Sequence, residues 1–136
     1  MRILRIMFVF VLIVFITGCG EVNLDCSKIS DDKTEKIIAT AKGNKILKIV
    51  MEESKYFDDL DEMGSEYDDA RSTLFLYKLV KGVDANVTKN GNTLKQYISI
   101  DLNEGGGIIV RDFFDLVEFT PSAFIEYADN EGYICK

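Results

Sequence analysis

The chain has 136 residues, 47% of them apolar, with 23 Asp and Glu against 16 Lys and Arg and a formal net charge of −7. That length fits one ordinary domain, and the acidic balance disfavours nucleic acid, whose phosphates need a Lys/Arg surplus. No histidine is present, which removes Ser-His-Asp and Cys-His catalysis.

Residues 1–18 have the three parts of an export signal. Arg2 and Arg5 form a positive start, and Ile6 to Ile16 is an unbroken apolar run of 11 residues. A membrane-spanning helix needs roughly 20. Thr17 and Gly18 then supply small residues ahead of Cys19. The segment Ile16-Thr17-Gly18-Cys19 resembles a bacterial lipobox. The resemblance implies removal of 1–18 and a diacylglyceryl thioether on Cys19, which becomes the mature N-terminus. Two or more acyl chains anchor stably, at about 0.8 kcal/mol per buried CH₂. The expected address is the cell membrane, lipid-anchored, on the extracytoplasmic face. Losing Arg2 and Arg5 makes the mature chain more acidic still, which disfavours docking on an anionic bilayer and leaves anchoring to the lipid on Cys19. Residues 19–26 read as the lipidated cysteine and a short tether, with 27–136 a single domain.

Of the three cysteines, Cys26 and Cys135 remain for pairing. An exported domain sits where disulfides persist, and a bridge between them is expected. Two free thiols are the alternative. Two cysteines without histidine make a poor zinc site, and no basic neighbour or Cys-x-x-Cys pattern marks a reactive thiol.

Residues 27–35 read as a loop. Alternation of Ile37, Ala39 and Ala41, then Leu47, Ile49 and Met51, predicts a hairpin over 35–52, turning at Gly43-Asn44. Leu60, Met63, Tyr67, Ala70, Leu74 and Tyr77 recur at helical steps and predict a helix over 57–81. Phe75, Leu76, Leu79 and Val80 widen its apolar stripe, Gly64 is a point where it can split, and Gly82 fits a C-terminal cap. Residues 83–102 predict a second hairpin around Asn90-Gly91, with Leu94, Ile98, Ile100 and Leu102 inward. Gly105-Gly106-Gly107 reads as a flexible connection. Val110, Phe113, Phe114 and Val117 mark a helix over 109–118. Thr120-Pro121 opens a last helix that buries Phe124, Ile125 and Ala128. The order β-β-α-β-β-α-α predicts an α+β domain, a four-stranded antiparallel sheet with helices packed on one face.

Several of these features occur together in one family. The lipobox, Cys26-Ser27-Lys28, the Gly43-Asn44-Lys45 hairpin, the long helix, the second hairpin and the closing Gly132-Tyr133-Ile134-Cys135-Lys136 resemble small YehR-like bacterial lipoproteins. The likeness covers most of the mature chain and supplies no catalytic residues.

Asp58, Asp59, Asp61 and Glu62 are a weak candidate set for a divalent cation. As an EF-hand loop from Asp59 they fail, because position 12 is Ala70 rather than an acid. The plainer reading is a solvated first turn whose acids suit the helix dipole. Phe113, Phe114, Phe119 and Phe124 read as core, or as a groove for a peptide or lipid. No cofactor is expected. The function expected is a non-enzymatic binding or envelope-structure module, monomeric, anchored through Cys19, with an envelope protein or small ligand as partner. The other reading is a small-ligand or divalent-cation binding accessory protein of a transporter.

Overall fold

In the computed structural model, which describes residues 20–114 and 118–136, alternating strands gather into one antiparallel sheet. The strands are β1 Glu21–Ile29, β2 Lys33–Lys42, β3 Lys45–Tyr56, β4 Val83–Asn90, β5 Thr93–Asp101 and β6 Ile134–Cys135. Their order across the sheet is β4-β5-β3-β2-β1-β6. The helices are α1 Leu60–Tyr77, α2 Gly107–Phe114 and α3 Pro121–Asn130. The export segment, Cys19 and Val117 lie outside the described residues.

The sheet has six strands rather than the expected four. The residues read as tether and loop form β1. Val22, Leu24 and Cys26 alternate with Glu21, Asn23, Asp25 and Ser27, which is the period of a strand, and the whole of β1 pairs with β2. Only Gly20 separates Cys19 from the first strand residue. The second extra strand, β6, is two residues long and pairs Cys135 with Cys26 and Ile134 with Ser27.

Residues opposed across a ladder share a face. One row runs Leu24, Ala39, Ile49, Ile100, Val83, and the next runs Cys26, Ile37, Met51, Ile98, Ala85. These rows form a core with Met63 and Leu74 of α1, Ile109, Val110 and Phe114 of α2, and Phe124 and Ala128 of α3. The pairing shifts register at Thr40/Ala41, so Ile46 rather than Leu47 opposes Ala41 and is buried.

Helix α1 is shorter than expected and continuous through Gly64. Asp59 is its N-cap, its carboxylate accepting from the Asp61 N–H at 2.8 Å. Met63 and Leu74 are buried and Tyr67, Ala70 and Tyr77 pack against the core. Phe75, Leu76 and Leu79 do not join it and are exposed, as is Ile125 on α3. They follow the helical period but fall off the narrow stripe that the sheet covers. Thr120 caps α3, its hydroxyl accepting from the Ala123 N–H, and Pro121 follows as the first helical residue.

The three glycines after Glu104 are not a slack connection. Gly106 is buried, and a Cβ there would overlap Ile100 Cγ2 and lie 2.8 Å from Asp101 O. Its N–H donates to that carbonyl at 3.0 Å. The turn needs a residue without a side chain at its tightest point.

Candidate functional site

On β1 to β3 the apolar core stops one step along the strands, whereas on β4 and β5 it continues through Val87 and Leu94. On the same sheet face, the row after Cys26–Ile37–Met51–Ile98–Ala85 is Lys28, Glu35, Glu53, Gln96, Val87. The helices do not seal this polar end. Leu74 of α1, Phe113 of α2 and Tyr133 ahead of β6 wall a cleft of about 130 Å³ over Ile37, Met51, Ile98, Glu35, Glu53 and Gln96.

The charges around the cleft are matched to one another. Lys33 Nζ lies 3.1 Å from Glu35 and 3.0 Å from Glu53. Lys55 reaches Glu66 of α1 at 3.0 Å. Partial burial alone would lower the Lys33 ammonium, but its bonds to Glu53 and Glu35 outweigh that and hold its pKa above the usual lysine value. The hydrogen bond to Glu66 raises Lys55 in the same way. Burial, reinforced by the negative charge of Glu35, pushes the Tyr133 phenol well above its usual range and keeps it neutral. Lys28 Nζ stands 5.7 Å from the centre of the Tyr133 ring and donates to Glu131 O at 2.9 Å. The cleft thus offers an apolar floor, two ion-paired carboxylates and a neutral phenol. That set suits holding a small molecule by shape and hydrogen bonds.

The sequence-predicted sites fall in different places. Cys26 and Cys135 stand opposite each other on β1 and β6, Cα atoms 3.9 Å apart, with their sulfurs in disulfide contact. Asp58, Asp59, Asp61 and Glu62 are all exposed at the start of α1, away from the cleft. Among the described residues no three metal-ligating side chains converge, and Asp59 is engaged as the helix cap. Phe114 and Phe124 are buried, Phe119 partly so, and Phe113 packs at a tilt against Tyr77 with ring centres 5.1 Å apart.

Glu35, Glu53 and Tyr133 were not anticipated. Glu35 and Glu53 carry a legible signal. Strand parity puts each on the same side as the buried Ile37 and the half-buried Met51, so both charges must face inward. Tyr133 carries none locally, because its place depends on the Cys26–Cys135 pairing.

No protein-family model matches the chain, and no curated protein matches it. Two solved structures share its fold. The NMR structure of the E. coli YehR protein has 21% identity and a TM-score of 0.64, covering 88% of this chain and 93% of that one. The NMR structure of a protein from Streptococcus pneumoniae TIGR4 has 13% identity and a TM-score of 0.57, covering 86% of each chain. The fold expected from the terminal cysteine layout and the paired hairpins is therefore YehR-like.

Proposed function

We propose that the chain is a lipoprotein held on the extracytoplasmic face of the cell membrane by lipid on Cys19, and that its domain is a monomeric, non-enzymatic binding or envelope-structure module. The placement of Cys26 against Cys135 supports this most directly. The pair joins positions 109 residues apart, and such a bridge persists in an oxidising compartment and is rare in a reducing cytosol. In the chain-entropy model a loop of that size contributes about 4.7 kcal/mol. An exported, tethered domain gains from it, and a cytosolic one would keep two thiols. The test is the intact mass of protein extracted from membranes without reductant. The expected species begins at Cys19, carries a diacylglyceryl group and has no free thiol. An uncut chain, or two free thiols after aerobic purification, would overturn the proposal. So would turnover of a cell-wall or peptide substrate that a single substitution abolishes.

The cleft favours a second reading, a small-ligand or divalent-cation binding accessory protein of a transporter. Its carboxylates and phenol border an apolar floor, an arrangement that can orient a small ligand. A calcium titration followed by NMR separates the cation version. Shifts at Glu35 and Glu53, or at Asp58–Glu62, would support it, and unmoved signals at millimolar calcium would remove it.

A further inference from the structure

We propose that the end of the domain where the chain enters β1 is a bilayer-apposed surface, with Leu76, Leu79 and Ile108 dipping into the lipid interface. The proposal rests on lipidation of Cys19. Two Cα–Cα steps of 3.8 Å carry the chain from Cys19 to Glu21, so their separation is at most ~8 Å. The end of the sheet that holds Glu21 must then sit at the membrane.

Register shows what else lies at that end. Glu21 opposes Lys42, beside the Gly43-Asn44 turn. Lys48 opposes Asp101, and Val83 opposes Ile100. The segment after α1 is bound there too, since the Asp101 N–H donates to Gly82 O at 2.7 Å. A Cβ on Gly105 would lie 3.5 Å from Lys81 O, which brings the glycine turn and the start of α2 to the same place.

Several large apolar side chains are left uncovered at this end, Val22 of β1 among them at 59%. Leu76 is 62% exposed, Leu79 70% and Ile108 67%. Leu76 and Ile108 belong to helices whose other faces are buried and Leu79 lies in the turn after α1, so the core does not need them. Water is a poor surrounding for such a group, and acyl chains a few ångströms away are a better one.

Charge permits the approach. Lys42, Lys45, Lys78 and Lys81 are exposed, and none is ion-paired among the described residues. Lysine stems lie along an apolar surface while the ammonium reaches headgroups. Glu21, Glu104 and Glu118 are also exposed here and bring this end near neutrality. The acidic excess is at the opposite end, where Asp31, Asp32, Asp58, Asp59, Asp61 and Glu62 are exposed. The nine residues of β1 separate the two ends by roughly 30 Å, several times the Debye length of about 8 Å. The net charge of the chain therefore does not oppose contact at this end.

The test uses the full chain, extracted from bacterial membranes and placed in nanodiscs of phosphatidylethanolamine and phosphatidylglycerol, some bearing a paramagnetic headgroup. The expected result is several-fold greater broadening of the Leu76, Leu79 and Ile108 methyl signals than of Ile29 and Leu60 at the far end. Replacing the three by serine, at exposed sites that leave the fold intact, is expected to even out the broadening between the remaining methyls of the two ends, Val22 against Ile29 and Leu60. The intact mass of the same sample reads the lipid. A lipidated chain with uniform or absent broadening, with broadening on Ile38 and Val50 of the uncovered sheet face, or with patch signals that shift with protein concentration would overturn this surface and leave the anchor standing. A chain without lipid would overturn both.

Discussion

The two ends of the helix-covered sheet face use the same strands and different chemistry. Towards Gly20, Ala39, Ile49 and Ile100 line up fully buried. Two rows further along, the same strands carry Gln96 with Glu35 and Glu53, the two glutamates held by Lys33 and overlooked by Tyr133. Apolar packing needs a close lid, and α2 and α3 supply it at the first end. Ion pairs tolerate an open one. The difference teaches that stability and a shaped, partly solvated cleft can be drawn from one face, provided each is confined to its own end.

Substitutions at the apolar end should have the largest effects. Ile49→Ala removes a wholly buried side chain and should cost about 2–5 kcal/mol, seen as a lower urea midpoint. Cys135→Ser should cost about 2–4 kcal/mol, and a thiol reductant should lower the wild-type midpoint to match while leaving the variant unmoved. Gly106→Ala should cost about 1–3 kcal/mol, because the new methyl meets Ile100 and a backbone carbonyl that cannot step aside. If Lys33→Met cost as much as Ile49→Ala, the contrast between the ends would collapse. The expected loss is at most about 1 kcal/mol, since the pairs with Glu35 and Glu53 remain partly in water.

The polar end should also show itself through pH. Folding raises the proton affinity of Lys33, Lys55 and Tyr133. The folded chain keeps protons that the unfolded chain releases near the ordinary values of 10.5 for lysine and 10.0 for tyrosine. Their stabilisation is therefore complete below about pH 10 and is lost as pH climbs through the folded values. Tyr133→Phe should flatten that alkaline decline. An unchanged slope would show that Tyr133 is not held neutral by its surroundings.

Much of this fold was legible. Both long hairpins, the α1 stripe from Met63 to Tyr77 and the Thr120-Pro121 helix start follow from local periodicity and capping. The failures have physical causes. Strand β1 alternates cleanly, but its outward residues resemble a solvated linker, and the proximity of Cys19 favoured that reading. Strand β6 is too short for any local pattern and exists through its partner. Leu76 and Leu79 obey the helical period, yet the sheet covers a narrower stripe than the sequence offers. The cleft follows from strand parity at Glu35 and Glu53, and its depth from Tyr133, which only the distant cysteine pair positions.

The cysteine pair also fixes how the domain answers a pull. On the proposed anchor, force through Cys19 would enter β1 at Glu21 and act to peel the strand from β2. Five residues, Glu21 to Asp25, precede Cys26 in that strand. Beyond them the peeling front meets a covalent crossing to β6, and the tension passes to the other end of the chain. An oxidised domain can therefore fray by five residues under load and then stop, whereas a reduced one has no such arrest. For a module anchored through Cys19 as proposed, the disulfide would be a mechanical stop placed just inside the point of attachment.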